Sequence, residues 1–493
     1  MTEHLEVELK FDADTGFVLP DLSDLAAVGE PVTYELEAVY HDTEDLRLAA
    51  RKVTLRRRTG GTDAGWHLKV PAGPDSKRER QAPLSDTLPT ELARLLPAYV
   101  RGREVEPVAV LSTVRTVREL RSPSGEVLAE LADDLVTGTI AGTPGSSSWR
   151  EIEVELVSGD PKLLKKVGAR LRRAGAERAA GSSKLGRLLG SRVPVPPSLD
   201  GSRAGDALLR HIAAQVDQIL AYDPRARLEV FDSVHKMRVA VRRLRSVLAS
   251  GRPLLDRAVT DPLQSELRWL AGVLGEVRDA EVLHERFSER LASLPEVCRE
   301  NPQWLRQIKK RERKGYTSLR KELSGERYFT LLDALDRLLA APPFTARAHR
   351  EAEKELRKLV RRSWRRLERA HAAIGEAESS ESTEGAAAAD AARHETRKAA
   401  KRVRYTADAT CEVLGGDAKA VSKAAKDLQE VLGRFQDGVI AQEQLRAVEP
   451  ASVEEAFGLG ALYGLEHCEA ERARDEVEAA WTDARARAVP RLG

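Results

Sequence analysis

Charged residues recur in this sequence at spacings that could do chemistry. In LEVELKF (5–11) two acids and a base alternate with apolar residues, and in EIEVELV (151–157) three glutamates do the same. Alternate side chains of a strand share a face, so Glu6, Glu8 and Lys10 lie together, opposite Val7, Leu9 and Phe11. Glu151, Glu153 and Glu155 likewise oppose Ile152, Val154 and Leu156. Arg56 and Arg58 share a face of VTLRRR (53–58), and Lys69 faces away from Leu68 and Val70 in WHLKV (66–70). Some strands thus offer only carboxylates and others mostly bases, although the solvent face of a sheet is served as well by mixed signs. If the sheet closes with this face inward, its carboxylate oxygens would hold a divalent cation and its Arg and Lys a multiply charged phosphate chain. Phosphoryl transfer depends mainly on such positioning and charge neutralisation.

A second pattern is VHKMRVAVRRLRSVL (234–248), with five Lys/Arg, one His and no acid in 15 residues. At about 100° per residue, His235, Arg238, Arg242 and Arg245 fall within one arc of the helix. Val234, Met237, Val241, Leu244 and Leu248 fill the adjoining arc. One stripe suits a core and the other a ligand. The pattern recurs 159 residues later as His394, Arg397, Lys401, Arg402 and Arg404, with Lys398 and Tyr405 beside them. Leu274-Gly275-x-x-x-Asp279 likewise recurs as Leu432-Gly433-x-x-x-Asp437. A solvated helix face mixes acids with bases for i,i+4 pairing, whereas these stripes are almost purely cationic. Cations at one-turn spacing match phosphates repeated along a polymer.

Bulk composition narrows the choice of polymer. The chain has 493 residues, 80 Lys/Arg against 78 Asp/Glu, and a formal net charge of +2, so the basic stripes are a sorted feature within a near-neutral total. Aromatic residues are only 4%, and few interleave with the basic runs to stack bases. No groove-reading module is recognisable, which also argues against nucleic acid. No apolar run approaches the ~20 residues that cross a bilayer, and acids at Glu3, Glu6 and Glu8 interrupt any signal peptide. A cytoplasmic protein without a membrane partner is expected. Cys298, Cys411 and Cys468 have no disulfide or zinc spacing.

The elements that must position these residues change type along the chain. Residues 1–190 carry short period-two segments separated by Gly, Pro and Asp turns, and EVLAELADDLV (126–136) is another. SRVPVPPSLDGSRAG (191–205) contains a linker over 191–204, and residues 205–490 read as helical. The repeat predicts two helical copies, about 205–375 and 390–490, with ESSESTEGAAAADAA (378–392) as a flexible joint. The expected fold is α+β in two domains: an antiparallel β tunnel or barrel, then an all-α pair of four-helix bundles.

The duplicated H-x-x-R-x-A-x-R/K-R-x-R followed by LG-x-x-x-D resembles the CHAD domain, a pair of four-helix bundles that binds inorganic polyphosphate. That resemblance implies that His235, Lys236, Arg238, Arg242, Arg243 and Arg245 line the binding surface. From the second copy it implies His394, Arg397, Lys401, Arg402 and Arg404, with Lys398 beside them. The runs Lys309–Arg313 and Arg361/Arg362/Arg365/Arg366 either extend the groove or are exposed helix faces.

E-x-E-x-K, followed by L-R-x-R, L-K-V, E-x-E-x-E and a late S-S-K, resembles the CYTH or triphosphate tunnel metalloenzyme family over about residues 1–190. It implies a catalytic set of Glu6, Glu8 and Lys10, and a site for Mg²⁺ or Mn²⁺ formed by Glu6, Glu8, Glu153, Glu155 and Asp134. Asp134 is preferred to Asp133 because it shares parity with Glu130. The implied triphosphate contacts are Lys10, Arg56, Arg58, Lys69, Arg80, Arg115 and Lys184, with Glu79 and Glu130 as further lining. One departure is LSTVRTVREL, which carries only Arg115 and Arg118 where many relatives have closely spaced bases. Together the resemblances imply metal-dependent hydrolysis of inorganic triphosphate coupled to polyphosphate binding, at polyphosphate granules in the cytoplasm. The alternatives are a non-catalytic polyphosphate-binding protein and a nucleoside or thiamine triphosphatase, with cyclisation of ATP a minor outcome.

Overall fold

Among the described residues, ten strands and fourteen α-helices follow one another, the strands before the long helices, as the sequence periods suggest. The computed structural model describes residues 2–73, 76–179, 183–195, 199, 202–298, 302–379 and 382–492. Two compact units divide the chain, Met1–Val195 and Pro196–Gly493.

The first unit is built on β1 (Thr2–Ala13), β2 (Ala27–Val28), β3 (Val32–Asp42), β4 (Thr54–Thr59), β5 (Gly65–Gly73), β6 (Ser76–Ala82), β7 (Glu106–Arg121), β8 (Val127–Ile140), β9 (Ser147–Leu156) and β10 (Glu177–Arg178). All pairings are antiparallel. The order β1-β6-β5-β4-β3-β7-β8-β9 returns to β1 and closes a barrel, with β2 and β10 as short additions. Register decides which residues face inward, because directly paired residues share a side. Glu6 pairs with Lys77, Lys10 with Glu153 and Glu8 with Glu155. Lys69 pairs with Glu79, and Asp134 lies between Arg115 and Glu151.

Residues of the opposite parity form cores outside the barrel. Phe11, Leu131, Ile152 and Val154 pack against Leu164, Val167 and Leu171 of α4 (Pro161–Arg173), which follows the single-turn helices α1 (Arg47–Ala50), α2 (Thr90–Ala93) and α3 (Pro97–Val100). α5 (Lys184–Leu189) stoppers one end of the barrel, packing Leu185 and Leu189 on Ala38, Tyr40, Ala109, Leu111 and Val136. Ser183 caps α5 by accepting the Gly186 N–H, which sets Lys184 in its first turn.

The second unit contains α6 (Ala204–Arg227), α7 (Ser233–Ser250), α8 (Arg257–Ser293), α9 (Gln303–Leu323), α10 (Glu326–Ala340), α11 (Ala352–Glu378), α12 (Thr383–Arg446), α13 (Val453–Asp475) and α14 (Val477–Ala488). Gly415, at φ 54, breaks α12 into two arms. The repeated motif falls on the second helix of each set, α7 and the first arm of α12. The copies are therefore α6–α9, and α11, the two arms of α12, and α13. Leu283, Phe287 and Trp304 of the first copy share a core with Ala441, Leu445 and Leu462 of the second.

This arrangement departs from the sequence expectation in two places. The second copy starts at α11 rather than near residue 390. Of the expected joint at 378–392, residues 380 and 381 lie outside the described residues, but from Thr383 onward it is helix. Its alanines are the best helix formers, and Ser382 caps the helix through the Gly385 N–H. Of the linker over 191–204, Arg192 ends a 3₁₀ turn and residues 196–198, 200 and 201 lie outside the described residues.

Candidate functional site

Inside the barrel, carboxylates from β1, β6, β8 and β9 meet cations from β1, β4, β5, β6, β7 and α5. Asp134, which has no exposed surface, accepts from Arg115 at 2.8 and 2.6 Å and lies 2.9 Å from Lys184. Arg115 also reaches Glu153 at 2.6 Å, and Lys184 reaches Glu153 at 2.8 Å and pairs with Glu151. Lys10 pairs with Glu153 and lies 2.9 Å from Glu8, whose other oxygen is 3.2 Å from Lys77. Lys69 bonds Glu6 at 2.5 Å and lies 3.4 Å from Glu79. Glu79 also accepts from His67 at 2.8 Å, and Arg56 lies 3.9 Å from it. Arg58 pairs with Asp63.

The carboxylates form two groups whose ligand atoms lie within 4.8 Å of one another: Asp134, Glu151 and Glu153, and His4, Glu6 and Glu155. Their electrostatic states differ. In the first group, burial opposes charge on Asp134 and Glu151, but Lys184 together with Arg115 at Asp134 and Lys10 at Glu151 outweighs it, so both pKa values fall below the usual range. In the second, burial and neighbouring Glu6 and Glu8 push Glu155 up to about 7. Burial also raises Glu6, whose Oε2 is buried without a hydrogen-bond partner.

Cations in the tunnel respond in kind. Asp134 and Glu151 hold Lys184 above its ordinary value against its burial, and Asp134 does the same for Arg115. Burial takes Lys10 down to about 8, and burial with the Arg56 and Arg115 charges takes Arg58 down to about 9.

Most residues proposed from the sequence converge here, but not all. Glu8 joins neither carboxylate group and instead holds Lys10 and Lys77. Arg80 pairs in register with Leu68 and shares its face, opposite to that of Lys69 and Glu79, so it lies away from the tunnel. The sequence proposal took KRER as a unit, but adjacent strand residues alternate sides. Arg118 is turned outward with Leu131. Asp134 faces inward while Asp133 pairs outside with Arg150 at 2.8 Å. Glu130 is exposed. Sequence reasoning missed His4, Lys77, His67 and Tyr40, and left Glu151 out of the metal set. Parity with Glu6, Glu79, Lys69 and Glu153 marks four of these; Tyr40 lies on a strand whose alternating charged pair, Glu35 and Glu37, has the other parity. Of the S-S-K segment (182–184), residue 182 lies outside the described residues.

In the helical unit, the repeated motifs acquire a common geometry. Arg238 bonds Asp279 at 2.8 Å and Arg397 bonds Asp437 at 3.1 Å. Each guanidinium lies over a glycine: a Cβ at Gly275 or Gly433 would stand 3.4 Å from the arginine Nη2. LG-x-x-x-D is thus a cradle that fixes one arginine per copy. The two stripes face each other closely enough to interact. Burial and the Arg242 and Arg397 charges take Lys401 down to about 7. Burial with Arg238, Arg397 and Arg404 lowers Arg242.

The remaining stripe residues are spread around this centre. His394 lies 2.7 Å from the Gln436 side-chain oxygen, and burial and Arg278 lower His235. Arg404 lies over the Tyr405 ring at 5.7 Å and Arg243 at 6.0 Å. Arg245 is lowered by burial and by Arg268. Lys236 and Lys398 are exposed at the margin, paired with Asp232 at 3.6 Å and Glu395 at 2.7 Å. Of the additional runs, Lys309 pairs with Glu312 at 2.7 Å and Arg361 donates to the Leu492 carbonyl at 2.8 Å. Arg362 and Arg366 line a cavity with Arg402.

The sequence pattern of the CYTH domain matches residues 4–187 and that of the CHAD domain matches residues 210–446. Two uncharacterised proteins of Mycobacterium tuberculosis, from strains CDC 1551 / Oshkosh and ATCC 25618 / H37Rv, are 40% identical over 505 residues, covering 97% of this chain and 96% of each. Among solved structures, PptA from Streptomyces chartreusis superposes with TM-score 0.47 at 22% identity, over 57% of this chain and 100% of its own. The CHAD domain from Ricinus communis gives TM-score 0.42 at 21% identity, over 59% and 95%. HpAC1 from Hippeastrum, described as having a dominant triphosphatase activity, gives TM-score 0.25 at 18% identity, over 38% and 96%. Among the described residues, no helix is long and apolar enough to cross a membrane.

Proposed function

The chain belongs to the family in which a CYTH domain is followed by a CHAD domain, and from that premise we propose that the barrel hydrolyses inorganic triphosphate with Mg²⁺ or Mn²⁺ while the helical unit binds inorganic polyphosphate. The observation that carries this reading is the pair of carboxylate groups in a barrel lined with cations and stoppered at one end. A site for a polyanion alone would gain nothing from grouping acids beside its ligand.

The metal fits best at Glu6, Glu155 and His4. There a buried carboxylate oxygen has no partner, and a second carboxyl is held near neutral by burial and by its acidic neighbours. Hard cations take such oxygen donors, and His4 adds a nitrogen suited to Mn²⁺. A bound divalent ion supplies Lewis acidity and lowers the pKa of a bound water.

The chain's own residues do the rest. Lys69, Lys10, Lys184, Arg115, Arg56 and Arg58 exchange their carboxylate partners for phosphate oxygens, neutralising charge and fixing the chain in line. Water oxygen bonds to the terminal phosphorus, the bond from that phosphorus to its bridging oxygen breaks, and pyrophosphate leaves with orthophosphate as co-product. Glu6→Gln removes a carboxylate from the metal group, and Glu8→Gln loosens Lys10 and Lys77. Phosphate release from triphosphate, long-chain polyphosphate and ATP, measured in parallel with Mg²⁺ or Mn²⁺, tests the reading. Triphosphate is expected to be the best substrate, and no metal-dependent release from any of the three would refute it.

A further inference from the structure

The two helical copies are not electrostatically equivalent around the second arginine of their R/K-R pair. In the first copy this is Arg243, which lies over the Tyr405 ring. His211 of α6 sits in the field of both Arg243 and Asp408. Arg210 pairs with Glu412 at 3.1 Å. An aromatic ring therefore lies on that arginine, with Asp408 in the same neighbourhood. Shifting by the 159-residue repeat turns Arg243 into Arg402, and the residues of α7 and its C-terminal turn that correspond to Tyr405, Asp408 and Glu412 are Ser246, Ala249 and Pro253. The ring and the Asp408 carboxylate have no counterpart there.

A cavity of about 190 Å³ stands at that place, lined by Arg252, Arg362, Arg366, Arg369 and Arg402, with Ala249 and Pro253 in its wall. Arg362, Arg366 and Arg369 recur at one-turn spacing and so present a single face of α11. Among the described residues no carboxylate lines it. Arg252 pairs at 2.9 Å with Asp261, which stands outside the lining, and Glu395, the acid nearest in effect to Arg402, is engaged by Lys398. Burial and the Arg366 and Arg252 charges disfavour charge on Arg402. On its helix Arg402 sits about 100° round from Lys401, so the cavity opens on a different face from the facing stripes.

Five arginines lining a volume below the ~300–1,000 Å³ of pockets for drug-sized molecules suit a compact, multiply charged oxyanion held through bidentate forks. We propose that this cavity is a second anion site of the helical unit, taking a short phosphate anion, either free pyrophosphate or the terminal groups of a polyphosphate chain. It goes beyond the groove reading, because it takes a short anion whether or not the stripes take a polymer.

The test is calorimetric titration of pyrophosphate into the full-length protein without divalent metal. Three variants are compared: Ala249→Asp, which restores the acid of the first copy; Arg366→Ala with Arg402→Ala; and Arg366→Lys with Arg402→Lys. Barrel contributions are common to all. At least a tenfold loss of one binding component is expected in the first two, with partial retention in the lysine variant and an unchanged helical circular dichroism spectrum. The lysine variant keeps the test decisive if an alanine variant fails to fold. Identical isotherms in Ala249→Asp and the unaltered protein would overturn the proposal. Long polyphosphate with free or capped ends identifies the source: weakening by Ala249→Asp only with free ends assigns the chain terminus, and weakening with neither assigns free pyrophosphate. Arg238→Glu with Arg397→Glu is expected to leave intact the binding component that Ala249→Asp removes. If that variant also leaves long-chain affinity unchanged, the groove reading fails and the cavity assignment stands.

Discussion

In the barrel, Lys10, Lys69, Lys77 and Lys184 each lie against a carboxylate, whereas in the helical unit Arg242, Arg245, Lys401 and Arg402 chiefly face other cations. The consequence is visible in the proton affinities of several groups, although burial still takes Lys10 down to about 8. Carboxylates hold Lys184 and Arg115 above their ordinary values against burial, and Tyr40 with Glu79 and Glu6 does the same for Arg56. The four helical cations are all lowered by burial and by neighbouring arginines. A barrel of balanced pairs accepts an anion only by exchanging partners, which demands a metal for the displaced carboxylates and fixes geometry. A field of like charges is relieved by any polyanion that reaches it and demands little register. The first suits chemistry and the second suits retention.

This contrast is most strongly tested by removing one carboxylate. Glu6→Gln should lower metal-dependent phosphate release at least ~100-fold, beyond the ~10–100-fold typical of outer-shell partners, while polyphosphate binding by the helices stays unchanged. Glu8→Gln should cost less, because Glu8 holds lysines and belongs to neither carboxylate group. Equal losses would erase the distinction between the two glutamates.

Charge reversal at Arg238, Arg242, Arg397 and Lys401 comes next. Each charge-assisted contact contributes about 1.5–3 kcal/mol, and the four together should weaken polyphosphate binding by roughly 100-fold or more and flatten its salt dependence. Triphosphate turnover should persist. Unchanged affinity at moderate salt would show that the facing stripes are not the binding surface.

A smaller effect is expected from pH. Lys401 titrates near 7, so it is charged below that pH and neutral above it. Polyphosphate affinity should fall by about tenfold from pH 6 to 8.5, one charged contact of about 1.5 kcal/mol, and Lys401→Arg should abolish the dependence. Stability of the ligand-free protein runs the other way. The folded pKa of Lys401 lies below its unfolded value of 10.5, so the unfolded chain binds more protons between about 7 and 10.5, and stability rises with pH across that window. Denaturation at pH 7 and 9, with Lys401→Met as control, checks the sign.

The barrel was more legible in the sequence than the helical repeat because period two ties identity to direction. Glu6, Glu8, Lys10, Glu153 and Lys69 all turn inward as alternation demands, and the same rule separates Asp134 from Asp133. Applied to KRER it would have removed Arg80, and applied one step before LEVELKF it would have added His4. What parity does not carry is which carboxylates approach one another across the barrel; closure and register decide that Glu6 meets Glu155 and Glu8 does not join them. In the helices, the motif offset was plain but the start of the second copy was not, because α11 lacks the motif and an Ser/Glu/Ala-rich run resembled a joint although alanine favours helix. The empty counterparts of Tyr405 and Asp408 became meaningful only with a cavity beside them.

The account's central claim, two phosphate sites built on opposite electrostatic terms, is tested most directly by withdrawing divalent metal from one sample while following both triphosphate turnover and long-chain polyphosphate binding. The account predicts that turnover falls to background and returns on adding Mg²⁺ or Mn²⁺, while polyphosphate binding holds throughout. Turnover that survives chelation, or binding that is lost in step with it, would contradict the claim.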